Sequence, residues 1–262
     1  MSHIELKSEG ALVNLTLKRA EVHNAFNAEL IAELIDALDE VARSRTARVL
    51  VLQAEGASFS AGADLNWMRA MAAASEEENF GDALKLAELM RRLRFLPQAT
   101  IARVQGSAFG GGVGLIACTD IAIGVSTAKF GLTESKLGLA PAVISPYVID
   151  AIGARHAQQL FLTAEMFDAQ KAHRLGLLHE VVQREELDQA IQGQVARLLT
   201  AGPEAVSASK QLIAQVSGRT VEAQHALDQN TARLIARLRV SPEGQEGIAA
   251  FLEKRAPDFA LK

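Results

Sequence analysis

Ile101-Ala102-Arg103-Val104-Gln105-Gly106-Ser107-Ala108-Phe109-Gly110-Gly111-Gly112-Val113-Gly114 reads as a short buried strand, a turn, and three consecutive glycines opening an apolar helix from Val113 to Cys118. Glycine destabilises the interior of a helix or strand and is useful where another group must approach the backbone closely. A glycine-rich strand-to-helix turn presents free backbone N–H groups, with the positive end of the helix dipole behind them. Such a turn favours a negative charge, and the nature of that charge sets the function.

A second turn of the same kind lies upstream. Phe59 leads into Ser60-Ala61-Gly62-Ala63-Asp64, and a short helix is expected from Leu65 to Ala72. If the two preceding strands lie side by side, one backbone N–H from each turn converges on a single point. That arrangement binds an oxyanion without any charged side chain. Either turn alone is better read as tight packing, and it is the pair that points to a site.

Working outward, Ile4-Glu5-Leu6-Lys7 and Ala11 to Leu17 alternate with period two, and Glu9-Gly10 between them predicts a hairpin. Asn27 is placed to cap a helix whose apolar stripe is Leu30, Ile31, Leu34, Ile35, Leu38 and Val41. Arg48 to Ala54 is a continuous apolar run of buried-strand type. Ser75-Glu76-Glu77-Glu78 starts a helix reaching about Arg94, its acidic run being a solvated first turn. Strands are expected at Asp120–Gly124 and Leu178–Val182, with Lys129 to Ser135 following the first of these. Helices are expected over 184–199, 203–216, 221–239 and 243–255. Strands alternating with helices, then helices alone, indicate an α/β core with a helical C-terminal part.

Composition limits the function. The 262 residues carry a net charge of −4, with 49% hydrophobic and 22% charged residues. There is no basic field for nucleic acid. The single cysteine, Cys118, excludes an intrachain disulfide and fits a reducing cytoplasm. No run reaches the roughly 18 apolar residues of a membrane span, and the N-terminus reads as a first strand rather than a leader. A soluble, cytoplasmic protein is expected.

Familiar chemistry motifs fail. No Lys-Ser or Lys-Thr follows the glycines as a phosphate loop requires, and the third glycine of a dinucleotide fingerprint is missing. Gly56-Ala57-Ser58-Phe59-Ser60 lacks the closing glycine of a nucleophile elbow. The six histidines show no metal-ligand spacing, so no metal is expected. Cys118 is read as core packing, and His23 beside Asn24 as a turn residue. Trp67 and Met68 suit either a pocket wall or the packing of a short helix.

At these residues the chain resembles the crotonase family, also called the enoyl-CoA hydratase/isomerase superfamily. The resemblance runs from Asn14-Leu15-Thr16-Leu17 through Asn24-Ala25 to Phe251-Leu252-Glu253-Lys254-Arg255. Its most specific parts are Phe59 to Leu65, the Gly106 to Gly114 turn with Asp120-Ile121 after it, and Lys129 to Gly138. The resemblance implies a crotonase-like spiral of ββα units over residues 1–200 and a C-terminal helical trimerisation region over 201–262. It implies assembly as a homotrimer or dimer of trimers. It also implies an acyl-CoA thioester as substrate, coenzyme A entering as part of that substrate with no separate cofactor.

Carried over residue by residue, the family's oxyanion hole falls on the N–H groups of Ala63 and Gly111, and its base on Glu134. Its coenzyme A contacts fall near Val22, Ala61, Ala63, Asp64 and Leu65, with Gly111 at the thioester, while Lys254 and Phe251 match C-terminal residues that reach coenzyme A or the acyl group. Without the family, Lys254 and Phe251 are equally an amphipathic helix that only packs. Lysines that other members place on coenzyme A phosphates are replaced here by Glu21, Ala57 and Asn66.

One departure bears on the reaction. Family hydratases commonly carry a first glutamate three residues after the oxyanion glycine, and here that position is Gly114. Members with a single glutamate at the Glu134 position include enoyl-CoA isomerases. Ala61 to Met68 and Pro141 to Val148 nevertheless most resemble bacterial 3-methylglutaconyl-CoA and carboxygeranoyl-CoA hydratases, of leucine and terpene breakdown. The leading expectation is therefore a lyase that adds water to the double bond of a branched, carboxylated enoyl-CoA. A double-bond isomerase and a non-catalytic binding or scaffold protein are the alternatives. Trp67, Met68, Met71 and Tyr147 are expected to wall the acyl pocket, and Gly114 to make room for the substrate's distal carboxylate.

Overall fold

The structure is a computed structural model and describes residues 2–261. The hairpin forms as the alternation predicts: β1 (Ile4–Glu9) and β2 (Leu12–Leu17) pair antiparallel, with Leu6 opposite Leu15. In α1 (Ala28–Arg43) the Asn27 side chain accepts the Leu30 N–H, and the predicted stripe is buried. The chain then alternates β3 (Val49–Ala54), β4 (Ser58–Ser60), α2 (Leu65–Ala73) and α3 (Glu76–Arg94). Ser75 and Glu78 close a reciprocal capping box at the start of α3. Next come β5 (Ala99–Val104), β6 (Ser107–Phe109), α4 (Gly111–Cys118), β7 (Ile121–Val125) and β8 (Lys129–Gly131). A 3₁₀ turn, Glu134–Leu137, follows. Beyond it lie α5 (Ser145–Ile152), α6 (Ala154–Thr163), β9 (Met166–Asp168), α7 (Ala169–Leu175) and β10 (Glu180–Val182). The remainder is α8 (Leu187–Thr200), α9 (Pro203–Val216), α10 (Val221–Val240) and α11 (Pro242–Glu253).

The strands sort into two sheets. One has the order β1-β2-β3-β5-β7-β10, the other β4-β6-β8-β9. Each of the successive pairs β3/β4, β5/β6 and β7/β8 sends its first strand to the large sheet and its second to the small one. This is the spiral of ββα units, on an α/β fold. β3 and β5 are buried almost throughout because parallel strands are covered on both faces. Strands β4 and β6 were not expected: three residues are too few to show a period, and both lay in segments read as turns.

The C-terminal helices return over the core. α10 packs along α3, where Arg91 pairs with the buried Asp228, and α11 packs on α2 and on the 3₁₀ turn. On α9, by contrast, Leu212, Ile213 and Val216 are exposed. Among the described residues no helix is long and apolar enough to cross a membrane, and no group of three or more His, Cys, Asp or Glu could hold a metal.

Candidate active site

Strands β4 and β6 run parallel and adjacent, with Ser60 beside Ala108, so the two glycine turns leave the small sheet side by side. Their contact is close. A Cβ on Gly62, where φ is +85°, would lie 3.1 Å from the Phe109 carbonyl oxygen. The first turn is pinned from several sides. The Asn24 amide donates to the Glu55 and Ser58 carbonyls, and the Ser60 hydroxyl donates to the Asn24 carbonyl. Asp64 caps α2 through the N–H groups of Asn66 and Trp67 and forms a buried ion pair with Arg19 at 3.0 Å. Burial pushes the Asp64 pKa up, but those amides and the Arg19 guanidinium outweigh it and hold the carboxyl below its usual range.

Phe26 aims the Ala63 N–H. Its own N–H donates to the Gly62 carbonyl at 2.7 Å and its carbonyl accepts the Asp64 N–H at 2.8 Å, a parallel bridge centred on Ala63. Successive N–H groups of an extended segment point to opposite sides, so the Ala63 N–H faces away from Phe26. In the second turn Gly111 is the first residue of α4, and its N–H has no intrahelical acceptor. Gly110 N-caps this helix with φ +48°, a conformation that glycine adopts without strain.

Glu134 stands opposite. A Cβ on Gly110 would lie 3.1 Å from its Oε1, while Oε2 is buried with no hydrogen-bond partner among the described residues. Burial raises the carboxyl pKa to about 7, against a weaker opposing pull from its own backbone N–H. Such a group exists in both protonation states near neutrality, as a proton-transfer group requires. These elements line a cavity of about 390 Å³ whose wall includes Ala63, Gly111 and Glu134. Leu86, Ala142, Val143 and Ile235 carry the wall on to α3 and α10. The cavity is therefore mostly apolar, with two backbone donors, one carboxyl and the cations Lys136 and Arg239 in its wall.

The predicted residues divide. Ala61, Ala63, Trp67, Met68, Met71, Gly111, Glu134 and Phe251 all line the cavity. The Ala61 N–H is already engaged by the His23 carbonyl at 2.9 Å. Val22, on a 3₁₀ turn, and the half-exposed Leu65 lie outside the lining. So does Asp64, whose carboxylate is occupied by its capping and Arg19 partners. Lys254 is exposed in a left-handed C-cap after α11, also outside it. Tyr147 does not wall the pocket. It is buried in the core from α5, its hydroxyl without a hydrogen-bond partner among the described residues.

Gly114 leaves no free space, which corrects the expectation that it makes room for substrate. A Cβ there would lie 2.4 Å from Ile144 Cγ2 and 3.2 Å from Met90 Cε. Ile144 from the α5 segment fills the gap and presents an apolar wall to the cavity. Ile144 and Arg239 are among the wall residues that had escaped notice. Arg239 was legible in principle, because it shares one face of α10 with the buried Ala232, Ile235 and Ala236. An arginine inside an apolar stripe is the signal.

Comparison with known proteins shows the family. The family model described as enoyl-CoA hydratase/isomerase matches residues 7–262. The chain is similar to the 1,2-epoxyphenylacetyl-CoA isomerase of Escherichia coli, at 35% identity over 100% of this chain and 98% of that protein. It is similar to the 2,3-dehydroadipyl-CoA hydratase of the same organism, at 31% over 99% of each. Among solved structures, an enoyl-CoA hydratase from Shewanella pealeana is 46% identical, with a TM-score of 0.81 over 98% of this chain and 96% of that one. The chain belongs to the enoyl-CoA hydratase/isomerase family and is an enzyme of that family.

Proposed function

We propose that this enoyl-CoA hydratase/isomerase adds water across the α,β double bond of a branched, carboxylated enoyl-CoA, of which 3-methylglutaconyl-CoA and carboxygeranoyl-type thioesters are examples. The observation that carries the reading is the placement of one carboxyl, with a pKa near 7, beside two converging backbone N–H groups in an apolar cavity. Ala63 and Gly111 N–H groups hold the thioester oxygen. Glu134 takes a proton from water as the water oxygen bonds to C3, and the electron pair of the double bond moves onto the thioester oxygen as an enolate. The same carboxyl then returns the proton to C2, the enolate collapses, and Glu134 is again ionised. One group serves as base and then acid, as microscopic reversibility allows. Each backbone donor contributes about 3 kcal/mol of transition-state stabilisation.

The hydratase from Shewanella and the E. coli hydratase, whose named substrate carries a second carboxyl, support this reading, while the E. coli isomerase supports the second reading below. Coenzyme A enters as part of the substrate, past Ala61 and the first glycine turn. A second reading, double-bond isomerisation, is favoured by the single carboxyl: Ile144 stands where a side chain at position 114 would emerge. Incubation with 3-methylglutaconyl-CoA and crotonyl-CoA separates the two. Hydration adds the mass of one water and removes the conjugated thioester absorbance, whereas isomerisation leaves the mass unchanged. The exposed Leu212, Ile213 and Val216 on α9 support assembly into a homotrimer or a dimer of trimers, which light scattering on the eluting protein measures directly.

A further inference from the structure

Arg239 lies in the cavity wall near the end of α10 and is 7% exposed. A buried guanidinium without a counter-charge is costly, and this chain avoids it elsewhere by pairing Arg19 with Asp64 and Arg91 with Asp228. Among the described residues Arg239 forms no ion pair. Burial pulls its pKa down to about 10, and Asp82 opposes this only through space.

What holds Arg239 is neutral. Its Nη1 donates to Asn79 Oδ1 at 3.3 Å. Asn79 is fully buried, and its Nδ2 donates to the carbonyls of Met71, Ala74 and Ser75, so its oxygen is left facing the arginine. The Arg239 carbonyl accepts from Gln245 Nε2 at 2.7 Å, and Gln245 also ties this end of α10 to the Ala72 carbonyl. The guanidinium is thus oriented by an amide and forms no ion pair among the described residues; the other charged residues of the cavity wall are Glu134 and the exposed Lys136. Arg239 lies on α10 against Asn79 of α3, whereas Ala63 and Gly111 lie on the glycine turns and Glu134 on the 3₁₀ turn.

We propose that Arg239 receives a carboxylate at the far end of the acyl group, which makes the cavity selective for thioesters of dicarboxylic acids. The inference rests on the reading of this cavity as the acyl site. A planar guanidinium fork matches a carboxylate bidentately, and the apolar residues of the lining, such as Leu86, Val143, Ile144 and Ile235, suit the intervening carbons.

The test measures binding rather than turnover. Kd values are determined calorimetrically on the full-length protein for glutaryl-CoA and adipyl-CoA against butyryl-CoA and hexanoyl-CoA, saturated thioesters with no double bond to hydrate or shift. Wild-type protein should prefer a dicarboxylic thioester by about 30-fold or more. In Arg239→Met the preference should fall below about threefold, and in Arg239→Lys, which keeps a charge but loses the fork, it should fall by about tenfold. A general loosening of the pocket shifts both Kd values and leaves their ratio. Absence of the preference in wild type, or its survival in Arg239→Met, overturns the proposal. If Arg239→Met does not fold, an unchanged ratio in Arg239→Lys overturns it equally. A wild-type protein that shows the preference but yields no water adduct refutes the hydratase reading and leaves this one standing.

Discussion

Replacing Glu134 with glutamine keeps the size of the side chain and removes its ionisation. In the folded protein the carboxyl titrates near 7, against an ordinary value of 4.5, because burial disfavours its charged form. Between pH 4.5 and 7 the folded state therefore retains a proton that the unfolded state releases, and wild-type stability falls as pH rises through this window. At 1.36 kcal/mol per unit the loss is complete above pH 7 at about 3 kcal/mol and absent below pH 4.5. Glu134→Gln does not titrate. Its stability relative to wild type should accordingly rise by about 3 kcal/mol between pH 4.5 and 8, a change of about 5–10 °C in the Tm difference for a chain of this length. Scanning calorimetry of both proteins across that range gives the difference directly. Parallel Tm curves for the two proteins would refute the assignment of a buried, poorly solvated carboxyl. The same residue sets the kinetics: wild-type kcat/KM should rise with pH through an apparent pKa near 7, and the variant should lose about 10³-fold or more in kcat.

Three further outcomes follow from the same geometry. Gly110→Ala forces a side chain into a backbone with φ +48° and to within 3.1 Å of Glu134 Oε1, so kcat should fall about 10²-fold while much of the thioester affinity persists, read from separate kcat and KM values. Gly114→Ala drives its Cβ against Ile144 and should destabilise the protein by about 1–3 kcal/mol; a double-mutant cycle with Ile144→Ala should recover part of that loss in urea unfolding. Asp64→Asn leaves Arg19 buried without its counter-charge and should cost about 3 kcal/mol or more at pH 7. Because the Asp64 pKa is lowered on folding, the ion pair's stabilisation is present above the ordinary value of 3.8 and lost as pH falls through the folded value; the variant and wild-type unfolding curves should therefore converge in acid.

Much of this protein can be read from local pattern. The one-sided stripe of α1, the alternation of β1 and β2, the Ser75 capping box and the continuous apolar runs of β3 and β5 are recorded in residues close together in the chain, and each became the element expected. The two glycine turns were also legible, because glycine marks places where backbone must come near something else. Strands β4 and β6 were not, since three residues carry no period and their hydrogen bonds are to each other, about 50 residues apart, and from β6 to β8.

The site divides along the same line. Residue type and local spacing determined the pair of strand-exit turns, whereas Glu134 was marked by the resemblance to the family. Only the tertiary structure decided that Ala63 faces away from Phe26, that Ile144 occupies the space beside Gly114, that Tyr147 belongs to the core and that Arg239 enters the cavity with a neutral partner. Each of these depends on which distant segment packs against a residue, and on whether burial leaves its polar atoms a partner. Those are properties of the closed fold.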